Sequence, residues 1–158
     1  MLPSFQIRKA TAADGPRVCE IVFDALREHG LEPDPDDTDA DLLDIPAYYG
    51  RPGHRFDVLV DETTGRVIGS VGLAPAGPEE AELRKLYLAA EHRRRGLGRA
   101  LLTHALHVAQ ELGYRRVRLE AAARLGAALQ LYEKYGFERL HEHPRTGRCD
   151  VVMARELE

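Results

Sequence analysis

A positively charged glycine turn that opens a helix constrains the fold of this chain more than any other feature. The stretch 93–102, RRRGLGRALL, places four arginines around two glycines and leads into 97–113, where apolar residues recur at helical spacing. The first N–H groups of a helix have no backbone partner and lie at the positive end of its dipole. Glycines there admit a close approach, so the junction suits a phosphate or pyrophosphate.

The turn differs from two common nucleotide-binding motifs. No Gly-Lys-Ser/Thr follows, as a Walker loop requires, and Leu101 stands where GxGxxG would place its third glycine. A flexible turn with solvated arginines is the alternative explanation for a lone GxG pattern.

Three strand-like segments precede the turn. Residues 54–62 and 66–74 predict a hairpin around TTG, and 78–90 predicts a third strand. In that third strand Leu83 and Leu86 are three residues apart, so they cannot share a face in a structure of period two. One extra residue between them, a β-bulge, would restore the pattern.

The remaining segments extend this to an α/β domain with a mixed sheet. Thr11 and Pro16 mark the start of a helix that ends at Gly30, and a short helix is predicted at 41–50. Further strands are predicted at 4–10, 114–121, 137–143 and 149–157, with a helix at 123–136 and a PRTGR turn between the last two strands. The order is β-α-(α)-β-β-β-α-β-α-β-β, and 158 residues suffice for one domain.

Composition argues against several classes of protein. The net charge of −4 and the pI of about 6.0 disfavour a nucleic-acid partner. No uncharged apolar run approaches the roughly 18 residues of a membrane span, and the N-terminus has no signal-peptide core. Cys19 and Cys149 form no CxxC pair, which favours a reduced, cytoplasmic protein. Four histidines (His104, His107, His141, His143) lack the further ligands of a metal site, so no metal is expected.

Three motifs in order resemble the GNAT superfamily of N-acetyltransferases. Arg93-x-x-Gly96-x-Gly98 is similar to its R/Q-x-x-G-x-G/A signature, ELRKLYLAAEH (82–92) resembles its bulged fourth strand, and LQLYEKYGFE (129–138) resembles its second signature. The resemblance runs from about residue 5 to 157. It implies a single GNAT-like domain over 1–158, with a mixed, mainly antiparallel sheet flanked by helices and a bulged, splayed central strand.

The resemblance also implies acetyl-CoA as cofactor. The pantetheine arm would lie along Leu86, Tyr87 and Leu88, and the pyrophosphate on the N–H groups of the turn. The turn's cofactor-binding residues would be Arg93, Arg94, Arg95, Gly96, Leu97, Gly98 and Arg99. Many relatives have an asparagine seven residues before the tyrosine of the second signature, where this chain has Leu125, so no cofactor contact is carried over there.

That tyrosine is Tyr132, which by family position is the acid that protonates the departing thiolate. Glu82 is the candidate base, acting through water, with a solvated strand acid as the equal alternative; Glu120 is a second candidate, and some relatives use no dedicated base. The implied reaction is direct attack of an amine on acetyl-CoA in a ternary complex. The alternatives are a non-catalytic acyl-CoA-binding sensor or assembly module, and transfer of a longer acyl group.

The acceptor side is predicted at the variable segment 32–55. Residues 32–44 contain seven acids and no base, which would attract a cationic amine, although a solvated loop also explains most of them. Tyr48 and Tyr49 either line the acceptor pocket or anchor the loop. The acceptor is an amine of a small molecule, a peptide or a protein; relatives are often homodimers, and no membrane partner is expected.

Overall fold

Seven strands form one sheet in a computed structural model that describes residues 4–158. The strands are Phe5–Lys9 (β1), Arg55–Asp61 (β2), Arg66–Gly77 (β3), Glu80–Leu88 (β4), Arg116–Ala121 (β5), Glu138–Leu140 (β6) and Val151–Glu156 (β7). The helices are Gly15–Glu28 (α1), Ile45–Tyr49 (α2), Leu97–Glu111 (α3) and Gly126–Lys134 (α4). The spatial order of the strands is β1-β2-β3-β4-β5-β7-β6.

The sheet is mixed and mainly antiparallel, which confirms the predicted fold class. Only the β4–β5 neighbours run parallel among the strand pairs of residues 4–158. Residues 1–3 of the predicted domain 1–158 lie outside the described part of the chain. No helix within 4–158 has the length and apolar character needed to cross a membrane.

The predicted bulge in β4 is confirmed by its pairing with β3. Ser70 pairs with Tyr87 and Gly72 with Arg84, so one residue separates these pairs on β3 and two on β4. Lys85 is one of the two β4 residues between these pairs, and it has a left-handed φ of 56°. Its carbonyl accepts a hydrogen bond of 2.7 Å from the Ser70 hydroxyl. The bulge is therefore a stabilised feature, since its displaced carbonyl has a partner.

From the bulge onward, β4 and β5 are separated. Their parallel pairing covers four residue pairs, from Glu80↔Arg116 to Leu83↔Leu119, and stops there. Residues 84–88 of β4 therefore have no register partner on β5. This is the splayed central strand that the family resemblance implied.

The helices pack apolar faces on the sheet. In α1 these are Val18, Ile21, Val22, Ala25 and Leu26, as the helical spacing predicted, and Pro16 lies in the first turn. In α3 they include Leu101 and Leu102, which are fully buried. Each such side chain contributes about 1.5–3 kcal/mol on burial. These buried side chains hold α3 against β3 and β4. The N-terminus of α3 then lies beside the part of β4 that is separated from β5.

The C-terminal hairpin is shorter than expected. The strand predicted at 137–143 ends at Leu140, and the PRTGR turn is part of a longer loop, 141–150. The Glu120 carboxylate accepts hydrogen bonds from the backbone N–H groups of Arg145 and Thr146. Because these N–H groups are bound to Glu120 of β5, the loop follows the end of β5 and does not lengthen the pairing between β6 and β7.

Candidate active site

A cavity of about 890 Å³ lies where β4 and β5 separate. One end is formed by the N-terminus of α3, the middle by the free part of β4 and by α4, and the other end by residues from the 30–44 and 141–150 loops. The predicted cofactor and catalytic residues thus belong to one continuous space.

The glycine turn has the geometry of an anion site. Gly96 is the N-cap of α3 and has a φ of 77°, a conformation that L side chains rarely adopt. The position of a Cβ at Gly96 has no atom within 4 Å, whereas one at Gly98 would contact Leu131 and Leu88 at 3.5 and 3.7 Å. The first N–H groups of α3 therefore lie beside open space, as a pyrophosphate requires.

The arginines of the turn have different surroundings. Arg93 donates two hydrogen bonds of 2.8 Å to the Glu28 carboxylate and one of 3.3 Å to the Leu88 carbonyl, so it ties the turn to α1 and to the end of β4. Arg94, with a φ of 66°, and Arg99 are exposed and line the cavity. Arg95 is exposed and is not among the lining residues of the described chain.

The free part of β4 supplies one wall of the cavity. Leu86, Tyr87 and Leu88 are half-buried and all line it. Burial raises the pKa of Tyr87 to about 12. A wall with unpaired strand backbone and apolar side chains, next to an anion site, fits an extended pantetheine arm followed by a pyrophosphate.

Tyr132 of α4 lines the same cavity. Its ring is buried and packs at 5.7 Å, centroid to centroid, against Phe137. No group within residues 4–158 hydrogen-bonds to its hydroxyl. Burial, with a further contribution from Tyr87 and Cys149, raises the pKa of Tyr132 well above its ordinary value. The phenol is therefore protonated at neutral pH, as an acid must be.

Glu82 lies at the other end of the cavity, held between two arginines. Arg84 Nε donates to Oε1 at 2.5 Å, and Arg118 Nη1 donates to Oε2 at 3.1 Å. Glu82 is therefore a fixed carboxylate in the cavity wall and not the solvated strand acid of the alternative explanation.

Glu120 also lines the cavity, but its carboxylate is occupied by structural contacts. Burial raises the pKa of Glu120, but hydrogen bonds from the backbone of Arg145 and Thr146, and from the side chains of Thr146 and Arg118, outweigh it and lower the pKa. Each Glu120 oxygen accepts two hydrogen bonds, whereas each Glu82 oxygen accepts one and keeps a second lone pair. This difference favours an anchoring role for Glu120 and leaves Glu82 as the better candidate base.

The two adjacent tyrosines of α2 have separate roles. Tyr48 lines the cavity, and its hydroxyl accepts a hydrogen bond of 2.6 Å from Arg84 Nη1. Tyr49 is buried in the core and donates to Asp41 Oδ2 at 2.5 Å. Burial, and then Asp41, raise the pKa of Tyr49 well above its ordinary value. Of the two alternatives for these residues, lining the acceptor pocket fits Tyr48 and anchoring the loop to the core fits Tyr49.

Part of the acidic segment is buried and paired. Asp39 is fully buried and accepts hydrogen bonds of 2.7 and 2.6 Å from Arg148, while Lys85 Nζ lies 3.3 Å from Asp39 and 3.2 Å from Asp41. Four of the seven acids, Glu32, Asp36, Asp37 and Asp44, are exposed, as a solvated loop explains, whereas Asp39 and Asp41 are the buried exceptions. Because Lys85 is the bulge residue, the segment is bound directly to the site.

Sequence reasoning missed four cations of the site: Arg84, Lys85, Arg118 and Arg148. Arg118 is buried and also lies 3.2 Å from Glu120 and 3.5 Å from Glu142. Its place between Val117 and Leu119 on a strand puts it on the same face as Glu120, and this alternation was a usable signal. Among residues 4–158, no group of three or more metal-ligating side chains comes together.

Comparisons with known proteins agree with this geometry. The profile of the acetyltransferase (GNAT) family matches residues 17–137. The chain is 36% identical over 159 residues to YjgM of Escherichia coli (strain K12), an uncharacterized N-acetyltransferase, and the match covers 96% of this chain and 94% of that one.

Two solved structures share the fold. A GNAT-family acetyltransferase from Staphylococcus aureus Mu50 superposes with a TM-score of 0.91 at 18% identity, covering 98% of this chain and 100% of that one. YncA of Salmonella typhimurium, an acetyltransferase solved with its cofactor acetyl-CoA, superposes with a TM-score of 0.78 at 22% identity, covering 98% and 94%. From the family match, the close relative and the shared fold, the chain belongs to the GNAT family and is an acetyl-CoA-dependent N-acetyltransferase.

Proposed function

We propose that this enzyme acetylates a primary amine by direct attack within a ternary complex, with Tyr132 as the acid and Glu82 as the base. The observation that carries the proposal is that a buried, protonated phenol and a fixed carboxylate line one cavity, beside the free part of β4. Acetyl-CoA, when bound, supplies an acetyl thioester whose carbonyl carbon accepts the amine.

Each residue has a distinct task in this scheme. The N–H groups at the start of α3 hold the pyrophosphate, and Leu86, Tyr87 and Leu88 hold the arm that leads to the thioester. Glu82 accepts the amine proton through water, so that the nitrogen lone pair forms the new C–N bond. As the C–S bond breaks, Tyr132 donates its proton to the sulfur.

The test compares Tyr132→Phe with Tyr135→Phe. Tyr135, the C-cap residue of α4, packs against the core and is not among the cavity-lining residues. We expect Tyr132→Phe to lower kcat by about 100-fold or more, since general acid catalysis contributes roughly 10²–10⁴-fold. The Kd for CoA, measured by calorimetry, should change less than about twofold because the substitution leaves the cavity walls intact. Equal loss of binding and turnover in Tyr132→Phe would contradict the acid role.

The pH profile gives an independent check. Since the pKa of Tyr132 is raised, its proton is present throughout the neutral range, and kcat should not fall from Tyr132 ionisation until well above about pH 10, the ordinary tyrosine value. Glu82→Gln should lower kcat/KM most at low pH, where less of the amine is neutral. Firm binding of CoA, with no thiol released from acetyl-CoA in the presence of any amine, would instead favour the non-catalytic acyl-CoA-binding alternative.

A further inference from the structure

The acidic segment offers little recognition for a cationic acceptor at the inner end of the cavity. Asp39 and Asp41, the two of its acids that are buried, are paired with Arg148 and Lys85. Asp37 is the one acid of segment 32–44 among the cavity-lining residues of 4–158, and it is exposed. Asp39 and Asp41 are not among the cavity-lining residues of 4–158, so neither is available to bind an ammonium group there.

The carboxylates on the strands also have partners, although each Glu82 oxygen accepts one hydrogen bond from the described residues and keeps a second lone pair for the acceptor amine. Glu82 accepts from Arg84 and Arg118, and Glu120 accepts from Arg118 and from the backbone of the 141–150 loop. This end of the cavity therefore differs from an anionic wall for a cationic amine, which was one of the two explanations for segment 32–44. Among the described residues, the groups at this end that can still form hydrogen bonds include donors of the cavity wall.

Arg84 and Tyr48 provide a pair of such donors. Arg84 uses Nε for Glu82 and Nη1 for the Tyr48 hydroxyl, and its Nη2 has no hydrogen-bond partner within residues 4–158. The Tyr48 hydroxyl accepts that bond, so its own proton remains to be donated. Both side chains line the cavity, and 30% of the Arg84 side chain is exposed.

The pair is held rigidly. The Tyr48 ring packs against Tyr49 at 4.8 Å and against His54 at 5.8 Å, and the guanidinium carbon of Arg51 lies 4.7 Å from its centre. A guanidinium with a neighbouring hydroxyl, fixed in advance, is a suitable site for a carboxylate. Arg145, exposed at the rim of the same end, adds a second cation.

We propose that the acceptor is an α-amino acid whose carboxylate binds Arg84 Nη2 and the Tyr48 hydroxyl while its amine lies at Glu82. The assignment deepens the proposed acetyl transfer and rests on it. Nε, which contacts Glu82, and Nη2 belong to one guanidinium group, so the amine and the carboxylate of the acceptor must be close together. That spacing favours an α-amine over the side-chain amine of lysine or a polyamine.

The test uses matched acceptors that differ only in the carboxylate. Thiol release from acetyl-CoA is measured with each common L-amino acid, with its L-amino acid amide, and with spermidine and putrescine. Charge-assisted hydrogen bonds of this kind correspond to roughly 10- to 100-fold in binding. We expect the best amino acid to exceed its own amide by about that factor in kcat/KM.

Variants then assign the preference to the two residues. Tyr48→Phe should raise KM for the amino acid about tenfold and leave KM for the amide unchanged. Arg84→Gln also disturbs Glu82, so it is judged by the ratio of kcat/KM for the amino acid to kcat/KM for its amide. This ratio should fall towards one. Tyr114→Phe is the matched control, because it removes a tyrosine hydroxyl that donates to the Gly53 carbonyl outside the cavity lining. It should preserve both KM and the ratio.

The outcomes separate this assignment from the reaction itself. Turnover of amides or polyamines that equals or exceeds turnover of amino acids overturns the carboxylate site and leaves acetyl transfer standing. An amino acid preference that survives both Tyr48→Phe and Arg84→Gln also overturns the site. Thiol release with none of these amines, in a protein that binds CoA, would overturn both proposals.

Discussion

Asp39 gives the most demanding test of the energetics, because the charges around the site depend on it. It is 0% exposed, accepts two hydrogen bonds from Arg148 and one of 2.8 Å from the Asp34 N–H, and lies 3.3 Å from Lys85 Nζ. Asp39→Asn removes the negative charge and leaves two largely buried cations with less compensation. Loss of one partner from a buried pair costs about 3–5 kcal/mol of unfolding free energy. Asp41 still faces Lys85, which favours the lower end of that range.

The assay is urea and thermal unfolding, with Asp36→Asn as the control. Asp36 is an exposed acid of the same segment, so its substitution should change stability by less than about 0.5 kcal/mol. For a domain of this size 1 kcal/mol corresponds to roughly 2–4 °C, so Tm of Asp39→Asn should fall by about 6–20 °C.

The effect should also depend on pH. Burial raises the pKa of Asp39, but hydrogen bonds from Arg148 and the Asp34 backbone, together with the charges of Lys85 and Arg148, lower it overall. A folded-state pKa below the unfolded value of about 4 means that the stabilisation is complete above that pH and is lost as pH falls through the folded value. The gap between wild type and Asp39→Asn should therefore shrink in acid. A gap below about 1 kcal/mol at pH 7, or one that persists undiminished after Asp39 is protonated, would refute this reasoning.

Three further substitutions or reactions test other parts of the site. Ser70→Ala should cost about 1–3 kcal/mol in urea unfolding, because the Lys85 carbonyl loses its donor at the bulge; an effect near zero would contradict that role. Gly96→Ala should cost about 1–2 kcal/mol from its φ of 77° and weaken CoA binding in calorimetry, whereas Gly113→Ala, with a φ of 93° and outside the cavity lining, should cost a similar amount and leave CoA binding unchanged. Burial raises the pKa of Cys149 to about 11, so its alkylation by iodoacetamide should be slow at pH 7, accelerate towards pH 10 and slow again with CoA; a Cys149→Ser protein gives the background.

Local rules of sequence were sufficient for the parts of the site that lie within one element. The break in alternation between Leu83 and Leu86 predicted the bulge, because a strand places successive side chains on opposite faces. The glycine turn was readable for the same kind of reason, since Gly96 adopts the positive φ that glycine tolerates best.

The electrostatics of the acceptor end were not readable, because its partners are distant in sequence. Asp39 and Arg148 are 109 residues apart, and no pattern within either segment indicates the other. Tyr48 and Tyr49 could not be separated either, since α2 has only five residues and no apolar period to show which side faces the core. Of the two explanations for the acids of 32–44, attraction of a cationic amine does not apply to the two that are buried, because Arg148 and Lys85 neutralise them.

The separation of β4 and β5 has a consequence for how the molecule behaves as a whole. Four residue pairs make up the backbone ladder between two sub-sheets, β1–β4 and β5–β7, within residues 4–158. A ligand that lies along 84–88 and also contacts α4 and the 141–150 loop braces one sub-sheet against the other. If acetyl-CoA binds there, we expect it to increase the cooperativity of unfolding as well as the stability, and amide exchange should slow most in β5 and β7, on the far side of the gap from the strand that the ligand follows. The cleft is then the place where the two sub-sheets move relative to each other in the free protein, and the bound cosubstrate would restrict that movement.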